Sequence, residues 1–243
     1  MKILITGASS GLGAELARQY ATQENSLILL ARREDKLKSI QEELIPHTQN
    51  VEIVLADVTE FETLQEKIVL LGFIDMVILN AGISIGHSEE LTSFKDFKRL
   101  YDVNVLSSHA ILEILLPKFK EQGSGKIVFI SSLASLISMP TSKAYSSSKR
   151  AVNAYAEGLR YKYKKDGITV INILPGFIKS EMTDKNHFKM PFLLSTQDGV
   201  KRIKKAVEKN KRIYAFPRRF YLIITLLNLF PKVLREKIVN SRK

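Results

Sequence analysis

The chain has 243 residues, of which 45% are hydrophobic, enough to bury the core of one α/β domain. It has no cysteine, which excludes disulfide frameworks, thiolate nucleophiles and cysteine-ligated zinc or iron–sulfur sites. The net charge of +12 comes from the last 43 residues, because residues 1–200 are neutral overall. This distribution argues against a nucleic-acid-binding protein.

Short apolar runs rich in β-branched residues alternate along the chain with segments of helical spacing. The runs are typical of buried parallel strands, and the alternation predicts βαβ units. We therefore expect one doubly wound, Rossmann-like α/β domain over residues 1–216, with a mostly parallel sheet of about seven strands, and a helical tail over residues 217–243. The predicted strands include Lys2–Thr6, Ser26–Ala31, Val51–Ala56, Ile74–Asn80, Lys126–Ser131 and Ile168–Leu174. The predicted helices include Gly11–Tyr20, Glu34–Ile45, Phe61–Leu71, Phe94–Phe119 and Ala144–Tyr163.

A glycine-rich loop follows the first strand and opens the first helix. There, backbone N–H groups and the positive end of a helix dipole suit the pyrophosphate of a dinucleotide. The spacing is G-x-x-x-G-x-G and no G-K-[ST] follows, which disfavours a nucleotide kinase. A tight turn without a ligand is the alternative. The candidate cofactor residues of this loop are Gly7, Ser9, Ser10, Gly11, Leu12 and Gly13.

The second strand ends in Arg32 and Arg33. An acidic residue at this point would bind the ribose 2′-hydroxyl of NAD, whereas an arginine accepts the 2′-phosphate of NADP. Glu34 and Asp35 come next, and they also suit the first turn of a helix. We therefore favour NADP(H) over NAD(H) as the cofactor.

Tyr145 and Lys149 lie four residues apart at the start of a predicted helix, so both side chains project from one face. A tyrosine with a pKa of about 10 is a poor base at neutral pH, but a nearby ammonium and a positive nicotinamide ring would favour its phenolate. Tyr145 could then exchange a proton with a substrate oxygen. A hydroxyl of Ser131-Ser132, at the end of the fifth strand, could hold that oxygen, or could simply cap a loop.

Taken in order, these motifs over roughly residues 1–180 resemble the short-chain dehydrogenase/reductase family, in its compact form. The resemblance implies an NADP(H)-dependent oxidoreductase that moves a hydride between nicotinamide and a carbonyl or alcohol carbon. It implies that Tyr145 is the acid/base, that Lys149 lowers its pKa and holds the nicotinamide ribose, and that Ser132 positions the substrate oxygen. Asn104 would steady Lys149 through water. Ser107 stands where the family often has glycine.

The same resemblance extends the cofactor site to the ends of later strands. Asp57 resembles the acid that contacts adenine, and Asn80-Ala81-Gly82 the motif that follows the fourth strand. The loop after the sixth strand would lie on the nicotinamide side. The residues implied in this way are Asp57, Val58, Asn80, Ala81, Gly82, Pro175, Gly176, Ile178 and Ser180, together with Tyr145 and Lys149.

The four histidines, His47, His87, His109 and His187, are too scattered in the sequence to indicate a metal site, and we expect none. His87 either faces the site opening or is a solvated loop residue.

The segment Ser180–Gln197 contains apolar residues without a clear helical or strand period, namely Met182, Phe188, Met190, Pro191, Phe192, Leu193 and Leu194. With Leu133, Ile137 and Met139 they either line a pocket for a lipophilic carbonyl or alcohol, or pack against the core.

The tail from Pro217 combines basic residues with the apolar run Phe220–Phe230. Eleven residues are too few to span a bilayer. Two short helices that meet near Pro231 would either rest on an anionic membrane surface, or cover the substrate cleft or a partner subunit. The apolar N-terminal stretch is too short for a secretory signal, so we expect a cytoplasmic protein, possible membrane contact being peripheral.

Other functions are compatible with such a fold. A non-catalytic NADP(H)-binding regulator would be expected to lack Tyr145 or Lys149, and a sugar-nucleotide epimerase would need a longer chain. The long predicted helices Phe94–Phe119 and Ala144–Tyr163 could supply the face of a homodimer or homotetramer.

Overall fold

The computed structural model describes residues 1–86, 90–186 and 188–240. Seven strands in these ranges form one sheet in the order β3-β2-β1-β4-β5-β6-β7, and every neighbouring pair is parallel. The strands are β1 (Lys2–Thr6), β2 (Ser26–Ala31), β3 (Asn50–Leu55), β4 (Met76–Leu79), β5 (Gly125–Ile130), β6 (Ile168–Pro175) and β7 (Ile213–Phe216). The helices are α1 (Gly11–Tyr20), α2 (Glu34–Leu44), α3 (Phe61–Val69), α4 (Phe94–Tyr101), α5 (Ser107–Gln122), α6 (Lys143–Tyr163), α7 (Thr196–Glu208), α8 (Arg218–Leu229) and α9 (Lys232–Asn240).

The sheet buries apolar side chains on both faces, which explains why its strands are continuous apolar runs rather than alternating ones. In β1, Ile3 and Ile5 join the cluster packed against α1, α2 and α7. Leu4 between them points to the opposite face and joins the cluster under α3, α5 and α6. This two-sided burial confirms the predicted doubly wound α/β fold.

The strand order reverses between β1 and β4, and this point sets the position of the site. Thr6 at the end of β1 accepts hydrogen bonds at its hydroxyl oxygen from the backbone N–H groups of Asn80, at 3.0 Å, and Ala81, at 2.9 Å. The Asn80 side-chain amide donates back to the Thr6 carbonyl oxygen at 3.0 Å. These bonds hold the loops after β1 and β4 side by side, where doubly wound sheets bind their ligands.

The structure differs from the predicted elements in two ways. The predicted helix Phe94–Phe119 is continuous to Gln122, but a π-helical turn at Asp102–Leu106 separates α4 from α5. Strand β7 and helix α7 were not predicted individually. Strand β7 has only four residues and pairs on one side alone, with β6, so its sequence signal is weak.

The tail forms the two predicted short helices. The inner face of α8 packs on the body of the protein, where Ile224 is buried against Leu133 and Leu174. The Asn228 amide donates to the carbonyl oxygen of Leu136 at 2.9 Å. In the described part of the chain, no helix has both the length and the hydropathy needed to cross a bilayer.

Candidate active site

The loop after β1 depends on three glycines for its conformation. Gly7 and Gly11 adopt φ of +66° and +53°, which other residues rarely adopt. A Cβ on Gly13 would overlap the carbonyl oxygen of Gly7, so the helix can approach the loop only with glycine at this position. The three glycines therefore bring the start of α1 close to the end of β1.

The first turn of α1 differs from those of α4 and α7. Ser93 and Ser195 cap those two helices with side-chain hydrogen bonds, and each has an aspartate in its first turn. Ser10 makes no such cap, and the first turn of α1 has no acidic residue. Its backbone N–H groups and helix dipole thus fit an anion such as the pyrophosphate of a dinucleotide.

Two arginines follow β2 and have different partners. The Arg33 guanidinium donates to the hydroxyls of Ser9, at 3.1 Å, and Ser10, at 2.5 Å, and so lies against the phosphate loop. Arg32 instead donates to the Asp57 carboxylate at 3.1 Å. Arg33 is therefore the arginine better placed for a phosphate near this loop.

Asp57, at the end of the neighbouring β3 loop, is held by several donors. One carboxylate oxygen accepts from the backbone N–H and the hydroxyl of Thr59, and the other from Arg32. Burial raises the pKa of Asp57, but these hydrogen bonds outweigh that effect and hold the pKa below its usual value. Asp57 is thus an ionised, fixed group at the rim of the cleft.

Most of the predicted cofactor residues line one continuous cleft over the switch point. The predicted residues that line it are Gly7, Ser9, Ser10, Gly11, Leu12, Arg32, Arg33, Asp57, Val58, Asn80, Ala81, Gly82 and Ser180. Ile178 is an exception, because its side chain is buried and packs against Gly199 of α7. Gly176 lies against Pro217, Phe220 and Leu133. Gly13 acts through helix packing, and the predicted residues Pro175, Tyr145 and Lys149 are likewise not among those that line this cleft.

Tyr145 and Lys149 lie together on one face of α6, as predicted. The Lys149 Nζ is 5.9 Å from the centre of the Tyr145 ring and donates to the carbonyl oxygen of Ile130, at the end of β5, at 2.9 Å. Ser132, just beyond β5, makes a side-chain hydrogen bond with Tyr145, and its oxygen also accepts from the N–H of Ala134. The Ser132 hydroxyl therefore caps the turn after β5 while it stays in contact with Tyr145.

Asn104 lies in the π-helical turn between α4 and α5 and is almost fully buried. Its side-chain oxygen accepts from the N–H of Ile83 at 2.8 Å, and its nitrogen donates to the carbonyl oxygen of Ile83 and the hydroxyl of Ser148. The Asn104 oxygen and the Lys149 Nζ each lie 3.4 Å from the position that a Cβ would take on Gly82. Asn104 and Lys149 thus border the same point behind the cleft.

Burial dominates the ionisation of this pair. It raises the pKa of Tyr145, and the hydrogen bond with Ser132 only partly opposes the rise. It also lowers the pKa of Lys149 to about 8. The expectation that the site lowers the pKa of Tyr145 is therefore not met by the protein's own groups, and Tyr145 is a neutral phenol at neutral pH.

We expect the cofactor-free protein to gain stability relative to Lys149→Met as the pH rises from about 8 to about 10.5. Over this interval an unfolded lysine is still protonated while the folded Lys149 loses its proton, so the unfolded state binds more protons and the free energy of unfolding increases. The full difference is on the order of 3 kcal/mol. Urea denaturation of both proteins across this pH range measures it. A pH-independent difference would contradict a buried, titrating ammonium.

The structure adds residues that the sequence analysis missed. Glu181 and Lys36 lie beside Arg33 and form ion pairs at the rim of the cleft. Ser148 links Asn104 to α6. Leu133 is buried under α8, in line with the second of the two alternatives given for it, packing against the core.

The histidines are dispersed in the structure as well as in the sequence. His109 hydrogen bonds with Tyr155 at 2.8 Å, whereas His47 ends a short 3₁₀ turn after α2. His87 and His187 lie outside the described residues. Within the described ranges no three His, Asp or Glu side chains are arranged to hold a metal ion.

Comparisons with known proteins assign the chain to a family. A family model described as short chain dehydrogenase matches residues 1–190. An uncharacterized oxidoreductase of Mycobacterium tuberculosis is 38% identical over 225 residues, which is 89% of this chain and 88% of the relative.

Solved structures share the fold. The short-chain dehydrogenase of Sphingobium yanoikuyae in complex with NADPH superposes with a TM-score of 0.83 at 22% identity, covering 95% of this chain and 96% of that one. A short chain dehydrogenase/reductase of Burkholderia phymatum in complex with NAD gives a TM-score of 0.84 at 20% identity, covering 100% and 95%. On the family match and the sequence identity, the chain belongs to the short chain dehydrogenase family and is an oxidoreductase of that family.

Proposed function

We propose that the protein is an NADP(H)-dependent reductase of lipophilic carbonyl compounds, with Ser132, Tyr145, Lys149 and Asn104 as its active-site residues. The observation that carries this proposal is the meeting of Tyr145, Lys149 and Ser132, with the Lys149 Nζ 3.4 Å from the position that a Cβ would take on Gly82, a residue that lines the cleft. A non-catalytic NADP(H)-binding regulator is the alternative. It is less well supported because all four side chains are present and grouped.

Each residue has a distinct task in this reaction. Bound NADPH would supply a hydride to the carbonyl carbon. The Ser132 hydroxyl holds the carbonyl oxygen as negative charge develops on it. Tyr145, neutral because burial raises its pKa, gives its phenolic proton to that oxygen as the C=O π bond breaks, which yields the alcohol.

The phenol must then regain its proton. Lys149 stands between Tyr145 and Asn104 and, with a pKa of about 8, holds an exchangeable proton near neutral pH. Asn104 is fixed by Ile83 and Ser148, so it can orient a hydrogen-bonded path behind Lys149. We assign Lys149 and Asn104 to this return of the proton.

The preference for NADP(H) rests on Arg33. Its guanidinium lies against the phosphate loop at the end of β2, where the ribose of the adenosine half would lie, and a guanidinium binds a phosphate through two parallel hydrogen bonds. Both arginines have a carboxylate partner, but Arg32 contacts Asp57 and not the phosphate loop, so it contributes less.

The preference for a lipophilic substrate rests on an aromatic cluster formed by the loop after β6 and helix α8. Phe177, after β6, stacks on Phe220 of α8 at 5.9 Å between ring centres, and Phe220 also contacts Phe192 at 6.0 Å. Phe188 packs edge-on against Phe177. Side chains of this kind favour apolar groups over polar ones where a substrate contacts them. Here α8 would form part of the cleft cover.

The proposal is tested by a screen of hydrophobic ketones and aldehydes with NADPH, and of the corresponding alcohols with NADP⁺, followed by the absorbance of reduced nicotinamide. We expect turnover with bulky apolar carbonyls and little with small charged ones. Cofactor binding without turnover of any compound would favour the regulatory alternative.

We further propose that the outer surface of the tail rests on anionic membranes. Its apolar side chains are Leu222, Ile223, Leu226, Leu229, Phe230, Val233 and Leu234, which we call the tail surface; each is 42–76% exposed. Residues 217–243 contain seven Lys or Arg and only one acidic residue. Apolar exposure next to positive charge fits the interface of an anionic bilayer.

We expect Leu226→Glu and Leu229→Glu together to reduce sedimentation with phosphatidylserine-containing liposomes by about tenfold or more, since each change removes apolar burial and adds a charge repelled by the lipid. Point changes are preferable to deletion, because the inner face of α8 is part of the core. Leu70→Glu is the matched control, as Leu70 is 83% exposed and follows α3, near the amino ends of the strands. Equal sedimentation of all three proteins would exclude a membrane role for the tail surface.

We also propose that the protein forms a homodimer or homotetramer in the cytoplasm. Phe94 and Leu106, on the helical segment that contains α4 and α5, are 82% and 45% exposed, which supports a contact between copies there. Light scattering coupled to gel filtration tests the oligomeric state.

A further inference from the structure

Glu181 lies in the loop after β6, and its carboxylate faces the two cations at the start of α2. One oxygen lies 3.0 Å from Nη1 of Arg33, and the other lies 2.9 Å from Nζ of Lys36. Both oxygens of the carboxylate are therefore engaged, and the one next to Lys36 also accepts a longer bond, at 3.4 Å, from Arg33. The pair of cations forms a site for one bidentate anion.

This anion site is part of the cofactor cleft. The same Arg33 guanidinium that contacts Glu181 also donates to Ser9 and Ser10 of the phosphate loop. Next to Glu181, the Cβ of Ser180 lies only 3.3 Å from the position that a Cβ would take on Gly11. The loop after β6 thus lies across the phosphate loop, with Glu181 as its link to α2.

We propose that Glu181 is a specificity-determining residue that competes with the ribose 2′-phosphate for Arg33 and Lys36, and that Lys36 is the second phosphate-binding cation. The proposal rests on the NADP(H) preference proposed above. A phosphate and a carboxylate make the same hydrogen bonds to a guanidinium, and two anions at one site repel each other. A cofactor with a 2′-phosphate must displace the carboxylate, whereas a cofactor with a 2′-hydroxyl leaves it in place.

The Glu181 carboxylate leaves Arg33 and Lys36 because another anion displaces it, not because it becomes protonated. Hydrogen bonds from Lys36 and Arg33 lower the pKa of Glu181 to about 2, so it stays charged at any pH near neutrality. Glu181 is 54% exposed at its side chain, so once released it can be solvated by water. The competition therefore reduces the binding free energy of a cofactor with a 2′-phosphate by a small amount. It does not affect the binding of a cofactor with a 2′-hydroxyl.

The test measures binding of 2′,5′-ADP (adenosine 2′,5′-bisphosphate) and of 5′-AMP by calorimetry, since these probes differ in the 2′-phosphate alone. We expect Glu181→Gln to bind 2′,5′-ADP about fivefold more tightly than the wild type, the upper end of what an exposed ion pair contributes, and to bind 5′-AMP unchanged. We expect Lys36→Met to weaken binding of 2′,5′-ADP only. Glu34→Gln is the matched control, because Glu34 is an exposed carboxylate of the same helix that pairs with Lys38 instead.

The outcomes separate this inference from the cofactor proposal. If the wild type prefers 2′,5′-ADP and Glu181→Gln binds it no more tightly, or if Glu34→Gln gains as much, the competition is refuted and the NADP(H) preference stands. If the wild type and Glu181→Gln both bind 5′-AMP at least as tightly as 2′,5′-ADP, the NADP(H) preference itself fails and the competition fails with it. Weaker 5′-AMP binding by Glu181→Gln would instead assign Glu181 to the ribose hydroxyls and overturn the inference.

Discussion

Tyr145→Phe is expected to lower kcat for carbonyl reduction by about 10²- to 10⁴-fold, the range typical of losing a general acid. The variant keeps the ring that packs near Lys149 and loses only the phenolic proton that the reduction requires. Because burial raises the Tyr145 pKa, the wild-type side chain carries this proton at neutral pH. Phenylalanine has no hydroxyl and cannot supply it. The loss should appear in kcat rather than in the affinity for NADPH.

The controls for this variant are a second tyrosine and a binding measurement. Tyr155→Phe makes the same change further along α6, at a tyrosine whose hydroxyl contacts His109. This variant should retain turnover. NADPH binding, followed by the fluorescence of the reduced nicotinamide, should be nearly equal in the wild type and Tyr145→Phe. Turnover by Tyr145→Phe within threefold of the wild type, roughly the scale of an ordinary surface change, would refute the role of Tyr145.

Arg33→Ala is expected to raise the Kd for NADPH by about 10- to 100-fold, as befits the loss of charge-assisted hydrogen bonds to a phosphate. The Kd for NADH should change much less, since NADH has no 2′-phosphate. The ratio of the two constants is the measurement to rely on, because Arg33 also braces Ser9 and Ser10 and its loss affects the phosphate loop for both cofactors.

Arg32→Ala is the matched control for Arg33→Ala. Arg32 is the more exposed of the two guanidiniums and is paired with Asp57, so its removal should change the NADPH to NADH ratio only slightly. If Arg32→Ala has the larger effect on that ratio, the assignment of the 2′-phosphate to Arg33 is wrong.

The fold was predictable from the sequence where burial is two-sided. Strands β1 and β2 have the predicted bounds because their apolar runs end abruptly in glycine or arginine. Strand β7 is short, half exposed and follows a turn of basic residues, so no local pattern distinguishes it from a loop. It becomes a strand only because β6 offers it a parallel edge.

The candidate site was predictable to a different degree in its two halves. Tyr145 and Lys149 are four residues apart, so helical geometry alone brings them together. Glu181 and Arg33 are 148 residues apart, and no local pattern in the sequence joins them. Likewise, the burial that raises the pKa of Tyr145 depends on how distant segments pack around α6.

The wide turn at Asp102–Leu106 adds a residue to its helix without turning the flanking segments away from each other. A π-helical turn closes its hydrogen bond over five residues where the α-helix closes it over four, so it takes up one residue more over a nearly equal rotation. Deleting a single residue from this turn would therefore restore regular helical hydrogen bonds and leave the apolar side of α5 towards the sheet. The change would fall on the turn itself, where the Asn104 amide would lose its position between Ile83 and Ser148. In this segment of the chain, the extra residue serves the site rather than the packing of the fold.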